Sequence, residues 1–384
     1  MKIAIYHNLP PGGAKRALFE FVNRLKKNHA IDLYILSAES EQFLDLRSQV
    51  KNCFDYQYKG LKFLPFILKA LSSAGPQKRM AREIDSKNYD LVFVHNCKLT
   101  QSPYLLRYLK TPSLYYCQEP ARIAYEYPIY LKKRSEKNWL GQMMLAGNVN
   151  FVKKVDRANA RFASCIAVNS YFSLESIYKA YAVYPKVCYL GVDTELFRPI
   201  KEICKENKIL SIGPLDYYKG HDFVVDSLKL VNPKNRPALE IVYNRSNPFY
   251  EKKIVESAQK GGVELILRTN ITDEELVKTY NQAKLVVCAQ YMEPFGFTPL
   301  EAMACGTPVL GVREGGIREI VEPNLNGVLV ERDERQFASA LEKILLDEKF
   351  YQALATNTRK TVLEKWSWEK SAKNLEFLMS QMVK

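Results

Sequence analysis

The chain predicts an α/β fold made of two doubly wound, parallel-sheet domains, and three observations carry that prediction. Short apolar runs alternate with helical patterns along all 384 residues, the order that builds parallel sheets with helices on both faces. The length exceeds what one ordinary core fills. An extended stretch from Pro185 to Pro199, carrying Gly191-Val192-Asp193 and Phe197-Arg198-Pro199, separates two such alternating sets. The expected division is 1–195, 196–367 and a closing helix, 368–384.

In the first set Ile3 to Tyr6 reads as a buried strand, followed by the turn Pro10-Pro11-Gly12-Gly13. Ala14 to Lys27 then has helical periodicity through Ala17, Leu18, Phe21, Val22 and Leu25. Strands follow at Ile31 to Leu36, Leu91 to His95, Pro112 to Cys117 and Ala163 to Val168, and Asn169-Ser170 opens a helix through Tyr178. The second set begins at Lys208 to Gly213. Its strands continue at Leu239 to Tyr243, Val263 to Leu267, Leu285 to Ala289, Val309 to Val312 and Gly327 to Val330. Helices at Gln336 to Leu345 and Phe350 to Lys365 close it, and a last amphipathic helix starts near Trp368.

Composition narrows the function classes. No apolar run reaches the ~18 residues of a membrane-spanning helix, and Met1 to Tyr6 is too short and β-branched for a signal peptide. The eight cysteines are scattered without a C-x-x-C pair, which predicts a reducing cytosol. Cys97, Cys165 and Cys288 read as small hydrophobes. His7, His29, His95 and His221 share no metal-ligand spacing. Of the net charge of +14, nearly all lies in residues 1–195, with 29 Lys+Arg against 16 Asp+Glu; residues 196–384 hold 27 against 26. Clusters stand at Lys51 to Lys69, Lys78-Arg79 with Arg82, Lys132-Lys133-Arg134 with Lys137, and Lys153-Lys154 with Arg157 and Arg161. A basic half suits nucleic acid, an anionic membrane surface or a phosphorylated acceptor. No RRM, KH or zinc pattern supports the first.

The densest string is Glu293-Pro-Phe-Gly-Phe-Thr-Pro-Leu-Glu301-Ala-Met-Ala-Cys-Gly-Thr-Pro-Val309, between two apolar strands and ahead of Gly315-Gly316. Thr298 as N-cap, Pro299 at the first position and Glu301 three residues after the cap make a capping box. A helix opening there favours an anion. Glu293, in the preceding loop, accepts hydrogen bonds and suits a hydroxyl-rich ligand. The string resembles the signature of the family 4 retaining glycosyltransferases, known also as glycosyl transferases group 1. The resemblance implies the GT-B fold, two Rossmann-like domains facing a cleft. It implies that Glu293 contacts the donor sugar, that the backbone of Phe295, Gly296, Phe297 and Thr298 meets sugar and diphosphate, and that Glu301 binds the nucleotide ribose.

Other segments extend the likeness or depart from it. Gly213-Pro-Leu-Asp-Tyr-Tyr-Lys219-Gly220-His221 follows the first strand of the second domain, where a lysine can place a point charge on a diphosphate. The family's usual arginine after the first glycine is here Pro214: either another cation, Arg245 or Arg268, substitutes for it, or leaving-group stabilisation is weaker. Thr272 with Glu275 forms a second capping box, in a loop that lines the base pocket in relatives. Gly12 and Gly13 permit close backbone approach: Gly13 is assigned to the donor, Gly12 to the acceptor. Lys15-Arg16 beside them oppose the helix dipole, which points to a nearby anion. Where relatives have a histidine stands Gln118, able to hydrogen-bond a hydroxyl but not to act as a base. Glu119 and Arg122 are acceptor-site candidates or a structural ion pair.

The expected activity is hexosyl transfer from a nucleotide sugar, retaining and metal-independent, with Glu293, Lys219 and Gln118 as catalytic residues. The expected acceptor is a lipid-linked or growing glycan at the cytoplasmic membrane face, with peripheral contact to anionic lipid, no cofactor and no nucleic acid. Alternatives are a soluble sugar or sugar-phosphate acceptor, or a non-catalytic basic nucleic-acid-binding protein.

Overall fold

The computed structural model describes residues 1–58 and 65–383. Lys59 and Lys62, part of the expected Lys51 to Lys69 cluster, lie outside the described residues. Contacts divide the chain into Met1–Leu190 with Ser371–Lys384, and Gly191–Lys370. The change falls at Gly191 because Val192 already pairs with Ser367. A Cβ at Gly191 would stand 2.4 Å from the Trp368 backbone nitrogen.

The first unit holds β1 (Lys2–Asn8), β2 (Ala30–Ile35), β3 (Asn52–Asp55), β4 (Leu91–Cys97), β5 (Ser113–Tyr116), β6 (Cys165–Val168) and β7 (Lys186–Val187), in the order β3-β2-β1-β4-β5-β6-β7. The second holds β8 (Glu206–Ile212), β9 (Ala238–Tyr243), β10 (Leu265–Thr269), β11 (Ala283–Cys288), β12 (Val309–Val312) and β13 (Gly327–Val330), in the order β10-β9-β8-β11-β12-β13. Every named pair is parallel. Ile3 to Tyr6 and Leu285 to Cys288 are buried throughout, as expected of central strands covered on both faces. Each sheet reverses its winding beside its first strand, between β1 and β4 and between β8 and β11. The carboxyl ends of those strands are where such sheets bind ligands.

Two strands start later than the periodicity predicts. The N–H of Val263 is spent on the Ala258 carbonyl (2.9 Å), closing the helix Pro248–Lys260, so β10 begins at Leu265. Ala163 likewise bonds back to Ala160 (3.1 Å), and β6 begins at Cys165. The edge strands β3 and β7 have no sequence signal because they are short and only partly buried.

Candidate active site

In the second unit the two loops flanking the winding reversal meet through an ion pair and through the Tyr291 N–H, which donates to the Tyr218 carbonyl at 2.9 Å. Lys219 ends a one-turn helix, Tyr217–Lys219, after β8. Its Nζ donates to Glu293 Oε2 at 2.7 Å. Glycines make this approach possible. Gly220 has φ +69°, and a Cβ there would lie 2.1 Å from the Ala289 carbonyl oxygen at the end of β11. A Cβ on Gly213, φ +141°, would press on the Lys219 stem. The Glu293 carbonyl accepts from Gly316 N–H at 2.8 Å, and a Cβ on Gly315 would sit 2.3 Å from that same oxygen.

A second brace was not foreseen. Arg332 makes two 2.7 Å bonds to Glu314 and donates to the carbonyls of Ala289 (3.1 Å) and Gln290 (3.2 Å). Its guanidinium lies 3.7 Å over the Tyr291 ring. Val330-Glu331-Arg332-Asp333 looks like an ordinary solvated turn, so no sequence signal could have found it.

The capping box at Thr298 is overturned. The helix runs Phe297–Ala304 with Gly296 (φ +122°) as its N-cap and no side-chain cap bond. That glycine turns the chain two residues early, so Thr298 and Pro299 already lie in the first turn. Glu301 is released from capping: only 8% exposed, it accepts the Tyr280 hydroxyl at 2.7 Å. Burial, and then the Glu301 charge, push the Tyr280 hydroxyl well above its ordinary range, so it remains a donor. The Phe295 ring packs edge-on against Trp366 at 5.9 Å and Phe297 lies against Trp368 at 6.1 Å. The capping box at Thr272 does form: Thr272 Oγ1 accepts from Glu275 N–H at 3.2 Å and Glu275 Oε2 from Thr272 N–H at 2.8 Å.

Of the two cations suggested in place of the missing arginine, Arg245 is the better placed. Its carbonyl accepts from Leu215 N–H (2.9 Å) and its guanidinium donates to the Tyr218 hydroxyl (3.2 Å), which ties it to the loop bearing Pro214 and Lys219. Arg268 is turned to Glu240 (3.3 Å), Thr279 (3.1 Å) and Glu275 (3.7 Å). His221 fastens the same loop from below. Its Nδ1 lies 2.9 Å from Ser211 Oγ, and Nε2 faces the Gly213 and Pro214 carbonyls at 3.2 and 3.3 Å. Burial pushes this imidazole down to about 4.

In the first unit Gly12, φ +145°, precedes the helix Gly13–Leu25. The anion anticipated beside Lys15 is the protein's own. Lys15 is fully buried and donates to Glu41 Oε1 at 2.7 Å, with His7 Nε2 2.8 Å from the same oxygen. Burial holds His7 below its usual value, so it serves as a neutral donor to Glu41. Gln118 is nearby: its Nε2 approaches the Ala14 carbonyl at 3.5 Å and its own carbonyl accepts from Ser173 Oγ at 2.9 Å. Arg122 makes a two-bond pair with Glu126 (2.8 and 2.9 Å) and stands 3.9 Å from Glu119. The loop after Gln118 is held by Asp156, which accepts from Ala121 N–H (3.3 Å), Ser102 N–H (3.0 Å) and the Tyr181 hydroxyl (2.9 Å). Burial raises Asp156 to about 6. It was hidden in the sequence among Lys153, Lys154 and Arg157.

Among the described residues no three His, Cys, Asp or Glu side chains converge to hold a metal ion. The family model of glycosyl transferases group 1 matches residues 193–361. A probable sucrose-phosphate synthase from Thermosipho melanesiensis is 31% identical over 192 residues, 48% of this chain and 44% of that protein. The chain spans about half the length of the curated relatives it matches first. The solved sucrose-phosphate synthase of Thermosynechococcus elongatus superposes with a TM-score of 0.78 at 19% identity, covering 99% of this chain and 98% of that one. Anabaena HepE, solved in complex with UDP and glucose, gives 0.72 at 19% identity, with 99% of each chain covered. The two sheets and these likenesses show the GT-B fold.

Proposed function

We propose that the chain, whose residues 193–361 match the family model of glycosyl transferases group 1, is a retaining, metal-independent hexosyltransferase using a nucleotide-sugar donor. The observation that carries the reading is the Lys219–Glu293 pair at the carboxyl ends of β8 and β11, with Glu301 on the helix that follows. Glu301, steadied by Tyr280, accepts from the ribose hydroxyls. Glu293 accepts from a sugar hydroxyl, and the backbone from Phe295 to Thr298 meets sugar and diphosphate. Lys219, with Arg245 beside its loop, stabilises charge on the departing diphosphate. The acceptor oxygen bonds to the anomeric carbon on the face the phosphate oxygen leaves, and its proton passes to that phosphate oxygen. No strong protein base is required, which agrees with a glutamine at position 118. Gly12, Glu119 and Arg122 are assigned to the acceptor side, with Gly13 near the donor diphosphate.

We take the acceptor to be a lipid-linked or growing glycan handled at the inner face of a membrane. A soluble sugar-phosphate acceptor is the second reading, favoured by the likeness to the probable sucrose-phosphate synthase. The test is thermal shift against UDP-, GDP-, ADP- and dTDP-sugars, followed by turnover. A ligand at 100 times its Kd stabilises by ~2.7 kcal/mol. Glu301→Ala abolishes the shift, and Lys219→Met lowers kcat by roughly 10²–10³ with a smaller change in KM. Absence of a shift with every donor, together with an unchanged Glu301→Ala protein, would end the proposal.

A further inference from the structure

Among the described residues, the first unit leaves an apolar face exposed on two consecutive helices. The helix Trp139–Ala160 starts at a true cap, Asn138 Oδ1 accepting from Gly141 N–H at 2.9 Å. Its buried residues are all in the last turns: Val155, Asp156, Asn159 and Ala160. There Asp156 and Asn159 anchor it, Asn159 Nδ2 donating to the Ser102 carbonyl at 2.8 Å. The first half has no buried residue, yet it carries Trp139, Leu140, Met143 and Met144, each more than half exposed. Their spacing of one and four places them along one side. The preceding helix, Tyr127–Ser135, adds exposed Tyr127 and Leu131, again four apart. A cluster of large apolar side chains this open is uncommon on a soluble surface and marks an interaction site.

Its charge selects the occupant. Lys132, Lys133 and Arg134 form the exposed last turn of the helix Tyr127–Ser135, and Lys137 is exposed in the short joint before the long helix, beside Glu136. Lys153, Lys154 and Arg157 continue along the exposed side of the long helix toward its anchored end. We propose that these two helices form a docking face for an anionic lipid bilayer, with Trp139, Leu140, Met143 and Met144 entering the headgroup–acyl boundary and the cations resting on lipid phosphates. Tyr and Trp prefer that depth, and a basic, half-apolar helix pair is the form that lies on a membrane without spanning it. No helix among the described residues is long and apolar enough to cross one. A second copy of the chain is a poor occupant, since a two-fold contact would set the same cations against themselves. Nucleic acid would engage the cations and leave the apolar side chains in water.

The face rests on the proposed function only for its purpose, and its test is independent. The full chain is floated with vesicles of phosphatidylglycerol and phosphatidylcholine, and separately with phosphatidylcholine alone. Binding to the mixed vesicles, weakened by salt and absent from the neutral ones, is the expected result. Trp366 and Trp368 are buried, so Trp139 reports directly: its fluorescence shifts to the blue on binding, and Trp139→Phe removes that shift. Lys132→Ser with Lys133→Ser weakens partitioning roughly thirty-fold, at ~1 kcal/mol for each surface charge. Met143→Ser with Met144→Ser abolishes it. Circular dichroism and nucleotide-sugar thermal shift without vesicles stay unchanged in these variants, which separates loss of docking from loss of fold or of donor binding. No binding to anionic vesicles, equal binding to neutral ones, or binding indifferent to both double variants overturns the proposal. So does concentration-dependent dimerisation abolished by Met143→Ser with Met144→Ser, which would assign the face to a second copy.

Discussion

Glu301 illustrates how a residue legible in sequence can be assigned the wrong local task. Its position after Thr298 and Pro299 fits helix capping, and only the +122° φ of Gly296 shows that the helix has already begun. Freed from capping, the carboxylate takes the Tyr280 hydroxyl at 2.7 Å, a contact between residues 21 apart that no local pattern encodes. Tyr280→Phe leaves that carboxylate oxygen short of a donor, which costs ~1–3 kcal/mol. Urea unfolding reads the loss, and isothermal titration with the preferred nucleotide sugar reads a parallel weakening of donor binding. Unchanged affinity would mean that Tyr280 supports the fold and not the ribose contact. Lys15 offers the same lesson: opposition to a helix dipole correctly implied an anion, but Glu41 supplies it from a segment beyond β2.

Among the elements, the loop from Tyr291 to Gly296 is the most tightly constrained. Gly220, Gly315 and Gly316 each lie where a Cβ would stand within 2.4 Å of a backbone oxygen of residues 289–294. Gly315 adds a left-handed φ of +64°. Gly315→Ala is expected to cost at least ~1–3 kcal/mol from backbone strain, before the clash is counted. It should also lower kcat by moving Glu293 away from Lys219. Gly75→Ala is the control: Gly75 lies in the helix Ala74–Ser86 with nothing within 4 Å of its added Cβ, and the change should stabilise by up to ~1 kcal/mol. Denaturant midpoints compare the two. The strands and helices of this βαβ alternation were readable because apolar runs and 3.6-residue periodicity are local. The glycine contacts were readable only as a suspicion, since the neighbour that forbids a side chain lies on another strand.

At the scale of the whole molecule, buried ionisable groups set the acid response. His221, pushed to about 4 against an unfolded value near ~6.5, binds its proton more readily when unfolded. Its contribution is present above pH ~6.5 and is lost as pH falls toward 4. His7 and His95 are lowered in the same direction by burial. Asp156, raised to about 6, has the opposite sign: the folded state holds its proton longer, so its contribution is lost as pH rises through 6. The histidines outnumber the aspartate, and stability should fall on acidification from pH ~6.5 to ~4. Asp156→Asn removes the opposing term and should steepen that fall, seen as a larger gap between urea midpoints at neutral and acid pH. A shallower gap would contradict the assignment of Asp156 as a buried, late-ionising carboxyl.

Taken by itself, the sequence determined the two-sheet α/β class, most strand positions, the likeness of residues 193–361 to glycosyl transferases group 1 and the string that holds Glu293 and Glu301. Each rests on short-range information: side-chain period, turn chemistry and a contiguous string. Tertiary structure alone decided that Lys219 pairs with Glu293, that Tyr280 steadies Glu301, that Arg332 braces the loop before Glu293, that Asp156 in the other unit holds the loop after Gln118, and that Trp139 to Met144 stand uncovered among the described residues. Those are contacts, or missing contacts, between segments far apart in the chain, and burial and pairing across such distances exist only once the sheets have formed.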